Sequence, residues 1–378
     1  MQRKQKVDVL IVRTVPCSQD ARVSKMLYHY LKNGVRIGIV CISRSDICSR
    51  DNEDHLFHST VIAWDFNKLP RFLKLITRLT GSSRAVLALD HLRTSLRIRK
   101  RFKTNITHGC DIDGYLISRF AFPFNTKNIF EVYDPWSTMT NSKRIETLEN
   151  RAFKNSRVLI MPAEDSRIKI NRKQMISFSN MLDPGLKERI LSNTIVSDQS
   201  KLIVETNKPY ILSGGIISDD TRLRELIEVV AKQDLIDLVV TCSSSLLEGN
   251  GYLKTPNNIH CVGKLDWGNW LYLMENAAAV WIYYNRSNLH FRSHISPNKY
   301  WEAAICGTPM LVNELSQFCD RVSIEPPIIE IGQSGDILQS INKAIKEISA
   351  LNNFQFETDL GYWNQLESAR TKKVQNIL

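Results

Sequence analysis

Short apolar runs alternate with segments of helical periodicity along most of the chain. The first run, Val7–Val12, precedes a segment whose apolar residues recur with the spacing of one helix face: Val23, Met26, Leu27, Tyr30 and Leu31. Gly34 follows as a stop signal, and Ile37–Ile42 is a second apolar run. The pattern predicts a strand, a helix from about Ala21 and a second strand, and this order predicts a parallel sheet.

The alternation continues and divides into two series. In the first series, further strands are predicted at Asp113–Ser118, Asn128–Tyr133 and Val158–Met161. A polar and weakly patterned stretch, Pro184–Asn207, follows, and we expect an interdomain hinge within it. A second series begins with a strand at Tyr210–Leu212. The chain is therefore predicted to be an α/β protein with two domains.

The turns after the first strand of each series differ. The loop RTVPCSQD in the first series contains no glycine, whereas dinucleotide-binding dehydrogenases carry Gly-x-Gly-x-x-Gly there. The sequence therefore does not favour a nicotinamide-dependent oxidoreductase. The turn SGGIISDD in the second series can bring backbone N–H groups close to a phosphate, and Arg222 can add positive charge. Gly-Gly turns are common, so this motif alone is weak.

The stretch Ser296–Pro309, SPNKYWEAAICGTP, carries the signals of a short helix with both ends marked. Ser296 is a good N-cap residue, Pro297 suits the first helical position, and Gly307 is a stop signal. The N-terminus of a helix attracts anions through its unpaired N–H groups and its dipole. An anion site and an ordinary surface helix are both consistent with this local pattern.

Composition indicates a globular protein of 378 residues, with 43% hydrophobic and 24% charged residues. No apolar run approaches the ~18–20 residues that span a bilayer. The basic and then apolar N-terminus contains Asp8 and no small-residue cleavage site, which favours a strand over a signal peptide. The eight cysteines are scattered without metal-ligand spacing, so we expect reduced thiols, no metal site and a cytoplasmic location.

Positive charge is concentrated in one segment of this chain, whose formal net charge is +11. Eleven Lys and Arg residues lie between residues 68 and 103, against a single acid there, Asp90. Apolar residues are interleaved with basic ones in KLPRFLKLITRLTG, as in helices that lie on anionic membrane surfaces. A solvated charged face is the alternative. Nucleic acid is the less favoured partner, because few aromatic residues are available to stack on bases.

The chain as a whole resembles the GT-B glycosyltransferases, in particular glycosyltransferase family 4 and its relatives. Three stretches carry the resemblance: the opening strand, helix and strand, the segment NIFEVYDPWS, and the C-terminal series that ends in SPNKYWEAAICGTPMLVN. The resemblance implies two Rossmann-like domains that face each other across a cleft. These are an acceptor-side domain at 1–190 and a nucleotide-sugar domain at 208–355, with a final helix at 360–378 that returns to the first domain.

The resemblance also assigns roles to individual residues. Glu302 matches the carboxylate that binds the ribose, and its two oxygens suit a vicinal diol. The other residues that match nucleotide-sugar-binding positions are Ser213, Gly214, Gly215, Arg222, Ser296, Pro297, Asn298 and Lys299. Asp20 and Arg22 match the loop that faces the cleft. Asp134 matches a position that can bind the acceptor, and a helix N-cap before Pro135 is its equally weighted alternative role. No metal is implied, because a helix dipole, N–H groups and a cation can stabilise the leaving diphosphate.

The sequence departs from the family pattern at one position. Many relatives carry a Glu-x7-Glu pair, and the first glutamate falls at His294 in this chain. We assign His294 to the catalytic group with Asp20 and Asp134. His290 and Arg292 lie in the same loop, and the three side chains are interpreted as substrate contacts rather than metal ligands.

The resemblance implies a metal-independent, retaining transferase that needs no cofactor beyond its nucleotide-sugar substrate. The expected acceptor is a lipid-linked saccharide in cell-surface polysaccharide or glycolipid synthesis. The basic segment 68–103 would then hold the enzyme at the inner face of the membrane. Two alternatives remain at this stage: a GT-B nucleotide-sugar epimerase or hydrolase, and an inactive GT-B scaffold that binds a membrane or a protein partner.

Overall fold

The structure is a computed structural model that describes residues 4–13, 21–43, 60–65, 83–124, 127–133, 142–161, 175–206, 208–214, 221–242, 256–284, 297–313, 326–332, 336–351, 356 and 358–378. The chain divides into two compact units. The first contains Met1–Ser179 and Glu367–Leu378, and the second contains Asn180–Leu366. Each unit is built around its own parallel sheet.

The strands of the first unit within the described residues are β1 (Gln5–Lys6), β2 (Val9–Arg13), β3 (Ile37–Ser43), β4 (Thr60–Asp65), β5 (Phe102–Lys103), β6 (Ile106–Cys110), β7 (Lys127–Glu131), β8 (Val158–Met161) and β9 (Met175–Ser177). Those of the second unit are β10 (Tyr210–Ser213), β11 (Asp237–Val240), β12 (Ile259–Cys261), β13 (Ala279–Ile282), β14 (Met310–Val312) and β15 (Ile328–Glu330). The pairings between these strands are all parallel.

The helices of the described residues are α1 (Ala21–Lys32), α2 (Ser83–Arg101), α3 (Asp111–Ala121), α4 (Lys143–Asn155), α5 (Pro184–Ser192), α6 (Asp198–Glu205), α7 (Leu223–Val230), α8 (Trp267–Glu275), α9 (Asn298–Cys306), α10 (Ile337–Ala350) and α11 (Leu360–Ile377). Helices thus separate most of the successive strands. This order is that of repeated β-α-β units, which build parallel sheets.

The first unit contains a seven-stranded sheet in the order β4-β3-β2-β6-β7-β8-β9. The four residues Val9 to Val12 of β2 are each at most 1% exposed, because a central parallel strand is covered on both faces. The strand order reverses between β2 and β6. In open α/β sheets, ligands bind beyond the C-terminal ends of the strands at such a reversal.

The second unit contains a six-stranded sheet in the order β12-β11-β10-β13-β14-β15. Its strand order reverses between β10 and β13. Apolar side chains of α7 and α10 pack with those of these strands in one core cluster that includes Leu226, Ile345 and Trp281. The sheet therefore has its expected ligand position beyond Ser213, the last residue of β10.

The C-terminal helix α11 begins in the second unit, and its residues from Glu367 onward belong to the first. The Tyr28 hydroxyl donates to Oε1 of Glu367 at 2.8 Å, and the Thr371 hydroxyl lies 3.0 Å from Nδ1 of His29. The guanidinium of Arg370 lies 4.0 Å from the centre of the Phe178 ring. The expected return of the last helix to the first domain is confirmed.

The strand predicted at Asp113–Ser118 is wrong, because these residues lie in helix α3. A short apolar run cannot by itself distinguish a buried strand from a buried helix. The true strand, β6, lies just before it. A Cβ on Gly114 would lie 2.3 Å from the carbonyl oxygen of Val12, so glycine allows α3 to lie directly against β2.

The stretch Pro184–Asn207, in which a hinge is predicted, contains α5 and α6. Both helices belong to the second unit. Ser197 caps α6 by accepting from the Ser200 N–H at 3.2 Å, and the Thr194 side chain occupies the space a Cβ on Gly268 would need. The stretch therefore contributes packed structure to the second unit.

Candidate nucleotide-sugar site

The carboxylate of Glu302 is buried and held by two tryptophans. Oε1 accepts from the indole N–H of Trp267 and Oε2 from that of Trp270, both at 3.0 Å. Glu302 is 4% exposed. Burying a charged group is costly unless it is hydrogen-bonded, and the two indoles supply that compensation. The carboxylate is thus fixed in one orientation, with further lone pairs on each oxygen.

The two tryptophans are placed by the N-terminus of α8. Asp266 caps this helix by accepting from the Asn269 N–H at 2.7 Å. Trp267 and Trp270 are three residues apart, so they lie on the same face of the helix. Glu302 lies on α9, and the two hydrogen bonds join α8 to α9. A capped helix therefore positions both partners of the carboxylate.

Helix α9 begins one residue later than predicted. Pro297 occupies the N-cap position in an extended conformation without a side-chain cap bond, and Asn298 is the first helical residue. The predicted stop is confirmed, because Gly307 ends the helix with a φ of 67°. A Cβ there would also lie 2.1 Å from the Phe356 carbonyl oxygen, so only glycine fits.

Lys299 joins the start of α9 to the glycine turn. Its Nζ donates to the carbonyl oxygen of Gly214, the residue immediately after β10. Burial lowers the pKa of Lys299 to about 8, against the opposing effect of the Glu302 carboxylate. The side chain is therefore a cation at neutral pH and loses its charge only about one unit above it.

Gly214 is in close contact with Trp270. A Cβ at Gly214 would lie 2.5 Å from the Trp270 ring and 3.0 Å from the Thr241 hydroxyl. Because Gly214 has no side chain, the Trp270 indole can pack against it while its N–H binds Glu302. The structure brings Ser213, Gly214, Lys299 and Glu302 together at the end of β10, where the strand order reverses.

Arg222 lies just before α7, at the N-cap position, in a left-handed conformation with a φ of 49°. Its guanidinium donates to Oε1 of Glu225 at 2.6 Å, and this hydrogen bond is the main reason that the pKa of Arg222 is raised. The Tyr283 hydroxyl, which follows β13, adds to the same effect. Arg222 is thus held near the C-terminal end of β13, one strand from β10.

Five of the predicted site residues lie outside the described residues. These are Asp20, Asp134, Gly215, His294 and Ser296. His290 and Arg292, in the same loop as His294, also lie outside them. The assignments of these residues stay predictions.

The first unit contains a polar group that sequence reasoning missed. Arg13, at the end of β2, forms an ion pair with Asp111, at the start of α3. Asp111 Oδ1 accepts from the Tyr133 N–H at 3.1 Å. The guanidiniums of Arg13 and Arg22 lie 4.5 and 4.8 Å from the centre of the Tyr133 ring. This group lies at the C-terminal edge of β2, β6 and β7.

Asp111 has a left-handed backbone, with a φ of 57°. Burial raises its pKa, while Arg13, the Tyr133 N–H and Arg22 oppose the rise. Non-glycine residues in this conformation are uncommon and occur often at functional sites. The left-handed start of α3 could not be read from ITHGCDIDG, but the position of Asp111 after a strand was a usable signal.

The chain is similar in fold to several solved structures. Anabaena HepE in complex with UDP-glucose is 14% identical, with a TM-score of 0.61 and 98% of each chain covered. Sucrose-phosphate synthase from Thermosynechococcus elongatus is 12% identical, with a TM-score of 0.56 and coverage of 98% of this chain and 94% of that one. The fold is GT-B.

A UDP-N-acetylglucosamine 2-epimerase has the same fold, at 12% identity and a TM-score of 0.58, with 97% of this chain and 95% of that chain covered. No family model matches the chain, and no curated protein matches it by sequence. Structural similarity at this level of identity establishes the fold alone. Function is therefore argued from the site.

Proposed function

We propose that the chain binds a nucleotide sugar on its second unit and transfers the sugar to an acceptor. The observation that carries this proposal is the convergence of Lys299, Gly214 and Glu302 where the strand order reverses. A cation and a helix N-terminus suit a diphosphate, and a fixed carboxylate suits ribose hydroxyls. HepE, with the same fold, has been solved with UDP-glucose.

In this proposal the charge that develops on the leaving nucleoside diphosphate is stabilised by the N–H groups at the start of α9 and by Lys299. These groups are in place before the reaction, which is the condition for efficient electrostatic stabilisation. The proposed transfer is metal-independent and retains the anomeric configuration. Asp20, Asp134 and His294 are the proposed catalytic group, and Ser213, Gly215, Arg222, Ser296, Pro297 and Asn298 complete the proposed nucleotide-sugar site.

The proposed acceptor is a lipid-linked saccharide of polysaccharide or glycolipid synthesis, bound by the first unit at the cytoplasmic membrane face. Helix α2 supports this proposal, because Arg99, Lys100 and Arg101 at its C-terminal end are exposed. Leu92 and Leu96 on the same helix are also 46% and 53% exposed. Exposed leucines beside basic residues suit an anionic lipid surface. None of the helices in the described part of the chain is both long and apolar enough to cross a bilayer.

A second candidate is a nucleotide-sugar epimerase or hydrolase. It is supported by the epimerase among the similar structures and by the Arg13, Asp111 and Tyr133 group. An inactive scaffold is the third candidate. Neither a soluble epimerase nor a hydrolase needs the basic surface of α2.

The test is a panel of nucleotide sugars at millimolar concentration, monitored by melting temperature and by product analysis. If the chain is a transferase, we expect one nucleotide sugar to raise its melting temperature. Turnover of that nucleotide sugar should rise steeply when a lipid-linked saccharide is added. Epimerised sugar nucleotide or free sugar, formed without an acceptor, would identify the second candidate. No stabilisation by any nucleotide sugar would contradict the proposed site.

A further inference from the structure

Three potential metal ligands converge in the core of the first unit. His108 Nε2 lies 2.8 Å from Glu131 Oε2, and Cys110 Sγ lies 3.7 Å from the same oxygen. The three donor atoms all lie within 4.8 Å of one another. His108 and Cys110 are fully buried, and Glu131 is 5% exposed. This group is separate from the proposed nucleotide-sugar site, which lies on the second unit.

The backbone register explains why the three side chains meet. Cys110 on β6 is paired with Glu131 on β7. His108 precedes Cys110 by two residues, so both side chains lie on the same face of the strand. Neighbouring parallel strands are about 4.8 Å apart, which sets donor atoms of paired residues within reach of one ion. Two adjacent strands thus provide a rigid frame for the ligands.

One atom of this cluster, His108 Nε2, lacks a hydrogen bond within the described residues. Despite its short distance to Glu131, His108 Nε2 has no hydrogen-bond partner among the residues that the structure describes. The ring nitrogen and the carboxylate oxygen are close without the alignment of a hydrogen bond. A ring nitrogen and a carboxylate oxygen this close to each other, both buried, have the arrangement of two ligands of one cation.

We propose that His108, Cys110 and Glu131 bind a divalent cation of the zinc type. Imidazole, thiolate and carboxylate are all zinc ligands, with bonds of about 2.0–2.3 Å that hold ligand atoms roughly 3.3–3.7 Å apart. The 3.7 Å separation lies in this range, the 2.8 Å separation lies below it, and all three ligand atoms lie within 4.8 Å of one another. One thiolate and one carboxylate balance the charge of the ion, so the buried site is neutral.

The surroundings of the cluster also fit a metal site. The Tyr30 hydroxyl lies 3.0 Å from His108 Nδ1, and the Tyr133 hydroxyl lies 3.3 Å from Glu131 Oε2. Metal-bound histidines are usually oriented by a hydrogen bond at their other ring nitrogen, and metal-bound carboxylates are also hydrogen-bonded. This site could not be predicted from the sequence, because its ligands lie on two strands and show no metal-ligand spacing.

The experiment uses the full chain, stripped with a chelator and titrated with Co²⁺. We expect one equivalent to bind with a thiolate-to-cobalt absorption band that Zn²⁺ displaces, and with higher affinity at higher pH as the thiol proton is released. Cys110→Ser should abolish the band, and Glu131→Gln should weaken binding at least tenfold. Cys242→Ser, which removes a buried cysteine of the second unit, is the matched control and should bind as the parent does.

Absence of a Co²⁺ band in the parent chain would overturn the proposal, as would a band unchanged in Cys110→Ser. If Cys110→Ser fails to fold, two melting-temperature measurements test the proposed site instead. Added Zn²⁺ should raise the melting temperature of the stripped parent chain, and Glu131→Gln, which preserves side-chain size, should lose that rise. An equal rise in both proteins would contradict the assigned ligands.

Discussion

The ammonium of Lys299 donates to the carbonyl oxygen of Gly214, and this bond joins two motifs that lie 85 residues apart in the sequence. The lysine comes from the start of α9 and the glycine from the turn after β10. Since an ammonium has three N–H groups, two remain for other acceptors. Lys299 can therefore bind an anion while it holds the turn in place.

Lys299 gives the first prediction. Its pKa is lowered to about 8, so the charged form is lost as the pH rises through 8. We expect the affinity for a nucleoside diphosphate such as UDP to fall over the range from pH 7 to 9, because the neutral amine offers no charge to the diphosphate. Lys299→Met should bind at least tenfold more weakly at pH 7 and lose this pH dependence. Calorimetric titration at several pH values measures both effects.

The control for Lys299 is Lys264→Met, which removes an exposed lysine from the same unit. Its affinity and pH profile should match those of the parent. The pH dependence of folding stability has the opposite sign to the pH dependence of nucleotide affinity. Because the pKa is lower in the folded chain than in the unfolded one, stability should rise with pH from about 8 toward the unfolded value. A parent affinity that is constant from pH 7 to 9 would contradict the assigned role.

The second prediction concerns the indole bonds to Glu302. Trp270→Phe keeps a ring against Gly214 but removes the N–H that binds Oε2. The loss of one hydrogen bond to a buried carboxylate should cost about 1–3 kcal/mol of unfolding free energy. Glu302→Gln should cost a similar amount, because one indole N–H would then face an amide N–H. Denaturant unfolding measures both changes.

The two variants should differ in nucleotide affinity. Glu302→Gln removes the charge proposed to bind the ribose, so it should weaken binding of UDP or another nucleotide more than Trp270→Phe does. Tyr272→Phe, which changes a nearby residue of α8 that does not bind Glu302, serves as the control. Equal nucleotide affinity in Glu302→Gln and the parent would remove Glu302 from the proposed site.

The third prediction concerns the space beside Gly214. Gly214→Ala would place a methyl group 2.5 Å from the Trp270 ring, so either the turn or the indole must move. We expect a loss of about 1–3 kcal/mol in stability and weaker nucleotide binding. Among the described residues, the methyl group of Gly332→Ala meets the Ser340 hydroxyl alone, at 3.4 Å, and this variant should be tolerated. Similar melting temperatures for Gly214→Ala and Gly332→Ala would show that the close contact with Trp270 does not reduce stability.

The fourth prediction concerns membrane binding. Arg99→Glu combined with Lys100→Glu reverses two exposed charges on α2. Binding to vesicles with anionic lipid should fall roughly tenfold or more, and binding by the parent should weaken with added salt. Lys343→Glu combined with Lys346→Glu, on α10 of the second unit, reverses two exposed charges elsewhere. An equal loss of vesicle co-sedimentation in the two double variants would contradict a specific membrane-binding surface on α2.

Periodic apolar patterns predicted most of the fold correctly. The strand at Val7–Val12, the helix from Ala21 and the parallel opening are all present, because central parallel strands are apolar throughout and surface helices have one apolar face. The strand predicted at Asp113–Ser118 was wrong, because a buried helix can show the same short apolar run as a strand.

The site was predictable only in part. Among the marked residues that the structure describes, Lys299 contacts Gly214, and Trp270 lies against Gly214 and binds Glu302. The tryptophans that hold Glu302 were missed, since no local signal ties Trp267 and Trp270 to a residue more than thirty positions away. Asp111 was missed for the same reason: its partners, Arg13 and Tyr133, are joined to it by sheet topology.

The division of α11 between the two units has a consequence for the order of folding during synthesis. The first unit needs Glu367 and Thr371 to complete the surroundings of Tyr28 and His29, and these residues are synthesised after every residue of the second unit. Domains usually fold in the order in which they are made. In this chain the first unit is begun before the second and completed after it, so a stop codon at position 367 would leave the first unit incomplete while sparing every residue of the second unit.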